Sequence, residues 1–311
     1  MTPLPPYAVD GTDEGPHPGG AELLWNESWY LDLVAGDDDL GAYVRIGRYP
    51  NLGVTWWTAA VALPGRPPLR SVDLDLPLSD PPDAAVSGRG VGVACSVLEP
   101  LERVHLAGTC FGHELADLDG VVDAAGSGVA LGFDLTWRTD GTPYGYGVTT
   151  RYEIPCLVEG TIDVEGTAID VKGHGQRDHS WGVRDWWAFG WCWMAGRLDD
   201  GTRIHAADIR IPGHPLAFGY VQDPGGGVVP VTTLDVEDLP GPGRFPAGAT
   251  ASIGPDGPQV TITALSYGPL VLDAPDGRRS WFPRALAVIE AADGRQGSGW
   301  IEWNLPGPGA G

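Results

Sequence analysis

Basic side chains are scarce in this sequence. Its 311 residues include 19 Lys and Arg against 41 Asp and Glu, which gives a formal net charge of −22. Binding to nucleic acid needs clustered Lys and Arg that neutralise phosphates, and anionic lipid attracts the same residue types. The charge balance therefore predicts no nucleic-acid partner and no docking on anionic lipid, and the acidity itself favours solubility.

Long apolar runs and cysteines are equally rare. No stretch approaches the length of a transmembrane segment, and residues 1–6 have neither the basic nor the apolar region of a signal peptide. We therefore predict no membrane insertion and a cytoplasmic location.

Four cysteines without a CxxC pair fit neither a zinc ribbon nor a dense disulfide framework. Free, mostly buried thiols are expected, with a Cys95–Cys110 bridge left open.

Turn formers and aromatic residues are abundant instead. The chain has 47 Gly and 29 Pro, and its 13 Trp distinguish it from disordered sequences of similar Gly and Pro content. Phe133, Leu135 and Trp137 alternate with polar residues, which is typical of a half-buried strand. Residues 198–202 predict a hairpin turn that returns through 203–210. The fold class is therefore all-β, with one short helix near residues 282–291.

Two β domains explain the length better than a single barrel. We predict a flexible N-terminal segment (1–20), an N-terminal β domain (21–160), a C-terminal β domain (161–305) and a tail (306–311). Residues 163–171 and 187–197 are each expected to form one strand of the second domain.

The densest group of ionisable residues spans positions 173–185, directly before a run of tryptophans. Asp178 and Ser180 point to one side of an extended chain and His179 to the other, so the three cannot form a serine-hydrolase triad. The spacing of His174 and His179 does not present both imidazoles to one ion. We therefore predict no metal site and no cofactor.

Two interpretations of this motif remain. In the first, Arg177, Asp178, Arg184 and Asp185 pair as a structural latch. In the second, burial keeps Asp178 protonated as a proton donor, held by His179 or Arg177. A neighbouring guanidinium opposes the second interpretation, because it lowers the pKa of a carboxyl group.

The segment after the motif provides an apolar surface. Alternation places large rings on one face and small side chains on the other, which suits either a core or the wall of a ligand cavity. Indole faces also stabilise positive charge. The candidate substrate-binding residues here are Trp181, Trp187, Phe189, Trp191 and Trp193, with His205 on the returning strand.

The N-terminal half has a parallel aromatic set. Glu27 lies between two tryptophans and is a second candidate acid, although an exposed carboxylate is the commoner role for such a residue. Tyr30 and Trp56 are the further candidates for substrate binding.

The motif resembles the two-domain, lipocalin-like family of carotenoid 1,2-hydratases and related terpenoid cyclases. Asp178, His179 and Trp181 match the family's Asp-His-x-Trp segment, and Ser180 occupies its variable polar position. Segments 26–30, 49–51 and 300–304 add a resemblance to uncharacterised actinobacterial-type members. The resemblance implies two lipocalin-like β-barrel or sandwich domains in tandem.

The resemblance also implies a reaction. In the family, a carboxylic acid protonates an alkene, and water or an internal alkene captures the cation without a cofactor. Carried over, Asp178 is the acid, His179 and Arg177 orient it, the tryptophans shield the cation, and Glu27 is the reserve acid. The expected partner is a hydrophobic isoprenoid or steroid-like substrate. The alternatives are a non-catalytic carrier whose motif is a latch, and a hydrolase or isomerase that uses Asp178 and His179.

Overall fold

The alternating, turn-rich sequence folds into strands almost throughout. A computed structural model describes residues 6–36, 39–80, 83–115, 128–241, 243–274 and 276–307. Within these ranges the one helical element is a 3₁₀ helix, Gly11–Glu14, and no α-helix occurs. The all-β prediction is confirmed, and the fold consists of two lipocalin-like β units.

The described residues divide into two units, 6–115 with 128–184, and 185–307. The strands of the first unit are β1 (Trp25–Ala35), β2 (Leu40–Tyr49), β3 (Val54–Ala62), β4 (Leu69–Pro77), β5 (Ala85–Gly88), β6 (Val91–Glu99), β7 (Arg103–Glu114), β8 (Val129–Thr139), β9 (Tyr144–Gly145), β10 (Arg151–Val164) and β11 (Thr167–Val183). The strands of the second unit are β12 (Gly190–Leu198), β13 (Arg203–Arg210), β14 (Leu216–Gln222), β15 (Val228–Pro230), β16 (Leu234–Leu239), β17 (Gly248–Ile253), β18 (Gln259–Tyr267), β19 (Leu270–Asp273), β20 (Arg279–Phe282), β21 (Arg284–Ala291) and β22 (Gln296–Pro306).

The first unit is a closed antiparallel sheet. Its strand order is β4-β3-β2-β1-β11-β10-β8-β7-β6-β5, and β4 also pairs with β7, so eight strands form a ring. Alternate residues of each strand face inward, as in small barrels. Trp29, Leu31 and Leu33 of β1 pack in this interior with Leu106 of β7 and Ile154 of β10.

The second unit has the strand order β15-β14-β13-β12-β22-β21-β18-β17-β16, with β19 paired to β20 and β20 to β22. Its core includes Cys192 and Met194 of β12, packed with Ile262 of β18 and Ile301 of β22. The hairpin expected at 198–202 is confirmed, because β12 and β13 pair across it.

The division between the units lies at 184/185 instead of the expected 160/161. Residues 163–171, expected as one strand, are a hairpin in which Val164 pairs with Thr167. Glu165 and Gly166 both have positive φ, at 53° and 82°, the backbone that a tight two-residue hairpin requires. The chain therefore turns back at Glu165 and completes the first unit with β11.

Three smaller expectations also differ from the structure or fall outside it. Residues 284–291 form strand β21 rather than a helix. Residues 10–20 of the expected flexible segment include an ordered 3₁₀ helix with a capping box at Asp10 and Asp13. Residues 1–5 of that segment and 308–311 of the expected tail lie outside the described residues.

All four cysteines are free, as expected, so the Cys95–Cys110 bridge is absent. No helix within the described ranges is long and apolar enough to cross a bilayer.

Candidate functional site

Strand β11 separates the ionisable motif onto two faces. In the register with β1, His179 lies opposite Trp29 and Arg177 opposite Leu31, both of which belong to the interior of the first unit. Asp178 lies opposite Tyr30, on the other face. The strand period of two therefore splits the motif, as the sequence predicted for Asp178 and His179.

On the inner face, Glu27 binds two histidines. Its Oε1 lies 2.8 Å from His17 Nδ1 and 3.1 Å from His179 Nε2, and it also accepts the backbone N–H of His17 at 2.8 Å. Glu27 is 0% exposed, and its Oε2 has no hydrogen-bond partner among the described residues. An exposed carboxylate was the commoner expectation for Glu27, but the structure buries this carboxylate beside two imidazoles.

The hydrogen bond of His179 Nδ1 determines which of the two ring nitrogens must carry a hydrogen. His179 Nδ1 lies 2.8 Å from the carbonyl oxygen of Asp13, which only accepts, so Nδ1 carries a hydrogen. In a neutral ring Nε2 would then be a bare acceptor facing the Glu27 carboxylate. A proton must therefore lie between Nε2 and Oε1, held either by the imidazole or by the carboxyl group.

The electrostatics of Glu27 decide between these two forms. Burial raises the pKa of Glu27, but the hydrogen bonds and charge of His179, with the hydrogen bonds from His17, outweigh burial and lower it overall. These interactions therefore favour the ionised carboxylate of Glu27. The pair is then neutral as a whole, which makes its burial less costly.

Aromatic rings enclose this pair. Trp29 stacks on His179 with centroids 4.8 Å apart, and Tyr152 meets the same ring edge-on at 5.7 Å. His17 stacks on Trp181 at 3.5 Å with an interplanar angle of 8°. Trp181 was predicted to contact substrate, and in the structure its ring stacks on His17.

A second ion pair lies on the same face. Arg177 Nη1 and Nη2 donate to Glu14 at 3.1 and 2.7 Å, and Glu14 Oε1 also accepts the backbone N–H of Leu101 at 2.9 Å. Burial raises the pKa of Glu14, yet Arg177 and Leu101 lower it overall. Burial and the Glu14 carboxylate raise the pKa of Tyr152 nearby, so its hydroxyl stays protonated.

These groups border a cavity of about 280 Å³ in the first unit, which opens to solvent beside the exposed residues Asp83, Ser96 and Val97. Its polar lining includes Glu14, Asp83, Ser96, Arg177 and His179. The apolar part of the lining comes from Trp29, Leu31, Ala84, Ala85, Ala94, Val97 and Val104. Tyr30, Asp178 and Cys95 also border it. Burial raises the pKa of the Cys95 thiol to about 12, which makes that thiol a poor nucleophile.

On the outer face, Asp178 has a different set of partners. Arg151 Nη2 donates to Asp178 Oδ2 at 2.8 Å and also binds Glu153, which is fully buried and accepts from Gln176. Neither His179 nor Arg177 orients Asp178, contrary to the expectation, because β11 directs them to the opposite face. Asp178 and Glu153 raise the pKa of Arg151, although burial opposes them.

Sequence reasoning missed the contribution of the N-terminal segment. Glu14 and His17 reach the interior from residues that precede the first strand, and Asp13 supplies the carbonyl that binds His179. The Pro and Gly content of this segment suggested flexibility. The capping box at Asp10 and Asp13 was the available signal for an ordered turn.

The remaining candidates of the first unit have structural contacts. Tyr30 donates its hydroxyl proton to Asp32 Oδ2 at 2.8 Å and borders the cavity. Trp56 packs on Tyr49 with centroids 4.1 Å apart.

The other aromatic candidates belong to the second unit. Trp187 and Phe189 precede β12 in a turn, so only Trp191 and Trp193 share a strand face as expected. Trp187 Nε1 donates to the Leu272 carbonyl at 2.9 Å. Further contacts join Phe189 O to Asn304 Nδ2, Trp191 Nε1 to Glu302 Oε1, and His205 to Trp193 and Tyr220.

His17, Glu27 and His179 are also the described residues best suited to a metal ion. One donor atom from each lies within 4.8 Å of the other two. Two imidazoles and a carboxylate suit zinc or ferrous iron. The observed contacts are at hydrogen-bond distances, and Oε1 has three nitrogen neighbours. The absence of a metal or other cofactor stays a prediction.

Sequence comparison identifies the family. The model of a domain of unknown function, DUF7064, matches residues 10–306. The chain belongs to this family. No curated protein matches it in sequence.

Solved structures share the fold of this DUF7064 member at low identity. A putative AttH (NE1406) from Nitrosomonas europaea has a TM-score of 0.67 at 18% identity, covering 97% of this chain and 98% of that one. Kievitone hydratase from Nectria haematococca has a TM-score of 0.65 at 14% identity, with 98% of both chains covered. CghA with Sch210972 has a TM-score of 0.58 at 12% identity, covering 97% and 94%. The expected likeness to hydratases thus holds at the level of fold, without support for carotenoid hydratases or actinobacterial members in particular.

Proposed function

We propose that this protein is a cofactor-independent enzyme of the hydratase or cyclase type, which protonates an alkene of a small hydrophobic substrate inside the first unit. The closed sheet leaves a cavity whose wall is mainly apolar but includes His179. The fold that it shares with a hydratase is consistent with this reaction class.

The observation that carries the proposal is the contact of 3.1 Å between His179 Nε2 and Glu27 Oε1, where the hydrogen bond from His179 Nδ1 to Asp13 implies a shared proton. This proton lies in a buried site beside the cavity, and we infer that the imidazole holds it, because the lowered pKa of Glu27 favours the ionised carboxylate. Glu27, the reserve acid of the sequence interpretation, is then the counter-ion, and His17 holds its carboxylate in position.

The proposed reaction balances without a cofactor. The alkene π pair takes the proton from His179 Nε2, which forms a C–H bond and leaves a cation on the neighbouring carbon. The indole face of Trp29, which lines the cavity, stabilises that cation. Water then adds to the cation and returns a proton to His179, which gives an alcohol. Attack by an internal alkene, followed by loss of a proton to His179, gives a cyclic isomer instead.

Asp178 has a supporting role in this proposal. Its carboxylate is the ion-pair partner of Arg151 on the outer face, which corresponds to the latch interpretation. It provides the matched control for the assignment of the acid, because it lies next to His179 in the same strand.

The test uses 4-isopropenylphenol and limonene, two compact alkenes that give tertiary cations. After incubation in D₂O, mass spectrometry should find one deuterium on carbon in the product. We expect Glu27→Gln and His179→Gln each to lower the turnover rate by about 10²-fold or more, with ligand binding retained. Asp178→Asn should keep most of the turnover but lower the melting temperature.

Two results would contradict the proposal. Product without carbon-bound deuterium would exclude protonation of the alkene. Loss of turnover in a folded Asp178→Asn variant, with normal rates in Glu27→Gln, would move the acid to Asp178.

A carrier is the second candidate function. It is favoured by one observation, namely that both ring nitrogens of His179 already have hydrogen-bond partners, as in a structural network. A carrier would release both alkenes unchanged, and the Glu27 and His179 variants would lose stability alone.

A further inference from the structure

Arg177 is not fully satisfied by its ion pair. Its Nη1 and Nη2 donate to Glu14, but its Nε has no hydrogen-bond partner among the described residues, although the side chain is almost fully buried. Buried donors are rarely left unpaired, because their desolvation is not repaid.

The position of Arg177 indicates what could satisfy it. Arg177 borders the cavity, and most of the remaining lining is apolar, including Leu31, Val97 and Val104. Arginine nitrogens only donate, so the missing partner is an acceptor such as an oxygen. An apolar molecule with one oxygen would fit both parts of the lining.

The size of the cavity limits that molecule. A volume of about 280 Å³ lies just below the usual range for drug-sized ligands. The volume therefore favours a compact molecule.

We propose that the cavity takes compact alkenyl phenols or enones, with their oxygen bound by Arg177 Nε–H. This inference rests on the proposed function, since it names the substrate class of the same cavity. Arg177 is then a residue that determines specificity, and Glu14 keeps its guanidinium in place.

Saturated probes test this inference separately from the reaction. 4-Isopropylphenol and 4-isopropyltoluene have the same shape and ten non-hydrogen atoms each, and neither can be protonated at an alkene. Their dissociation constants can be measured by calorimetry or by quenching of tryptophan fluorescence, because Trp29 lines the cavity. We expect the phenol to bind about tenfold more tightly or better, because only it satisfies the buried donor.

A paired substitution locates the effect. Glu14→Leu combined with Arg177→Met removes both charges together and so leaves neither ion unpaired. We expect this variant to bind 4-isopropyltoluene as the wild type does and to lose the preference for the phenol.

Three outcomes would overturn the inference: equal affinities in the wild-type protein, no binding of either probe, or a preference that persists in a folded double variant. If the double variant does not fold, the wild-type comparison still decides. Because the probes cannot react, a lack of preference for the phenol can be distinguished from a lack of proton transfer to the alkenes.

Discussion

Two neighbouring side chains of β11 belong to separate charge networks. His179 binds Glu27 on the inner face, and Asp178 binds Arg151 on the outer face. A shift of one residue in the register between β1 and β11 would exchange the side chains that face inward with those that face outward. The network to which each of these side chains belongs therefore depends on register as much as on residue type.

The outer network gives the first residue-scale prediction. Arg151→Met should destabilise the protein by about 3–5 kcal/mol, because it leaves the buried carboxylates of Glu153 and Asp178 without their guanidinium. Urea unfolding monitored by tryptophan fluorescence measures this change.

Arg89→Met is the matched control. Arg89 also binds two carboxylates, those of Asp73 and Asp75, but its side chain is 58% exposed. Exposed ion pairs contribute little, so we expect no measurable change in the unfolding midpoint. An equal loss of stability in both variants would show that burial does not determine how much the Arg151 network stabilises the protein.

At the scale of the element, β1 and β11 approach each other closely where β11 has glycines. A Cβ on Gly175 would lie 1.9 Å from the carbonyl oxygen of Asp32, and a Cβ on Gly173 equally close to that of Val34. Real atoms do not come this near. The glycines therefore allow the contact between strands that brings His179 to Glu27.

We predict that Gly175→Ala destabilises the protein by about 1–3 kcal/mol or more, because the two strands must separate. Thermal unfolding followed by circular dichroism provides the measurement. Gly92→Ala is its control, since a Cβ there meets nothing within 4 Å. A Gly175→Ala protein as stable as Gly92→Ala would contradict the packing described for β1 and β11.

For the whole molecule, acid should weaken the first unit through its buried carboxylates. The pKa values of Glu14 and Glu27 are lowered in the folded state, against about 4.3 in an unfolded chain. Their stabilising contribution is complete above the unfolded pKa and is lost as the pH falls through the folded values. We therefore expect the free energy of unfolding to fall steeply below about pH 4.

Urea titrations between about pH 7 and pH 3 test this expectation. Glu14→Gln should be less stable at neutral pH, because Arg177 loses its counter-charge, and its stability should depend less on pH. Glu159→Gln, at an exposed position of β10, should follow the wild-type curve. A Glu14→Gln variant with the full wild-type pH dependence would contradict the assigned role of that carboxylate.

Much of the fold could be predicted from the sequence, because alternation and turn residues are local signals. Phe133, Leu135 and Trp137 lie in one strand as their pattern indicated, and all are buried. The domain boundary was misplaced because the hairpin at Glu165 and Gly166 interrupts a run that is strand-like on both sides. A two-residue turn is recognised from sequence when both of its central residues are of a type such as Asn or Gly. Glu165 is not, so the sequence does not distinguish this turn from a continuous strand.

The site could be predicted only in part. Alternation already implied that Asp178 and His179 face apart, and the resemblance directed attention to this strand. The partners of His179 come from distant positions, with Glu27 152 residues away and Asp13 166 residues away. Pairings of that kind depend on the closed sheet and on where the N-terminal segment packs, neither of which is encoded locally.

The N-terminal segment has a practical consequence for anyone who works with this protein. Residues 10–18 belong to no sheet, and a proline-rich leader of this kind is readily trimmed as dispensable. Such trimming would discard an acid and an imidazole that complete the barrel's interior, and Arg177 would lose its counter-charge. The shortest self-sufficient version of this unit therefore starts upstream of Asp10, well before its first strand.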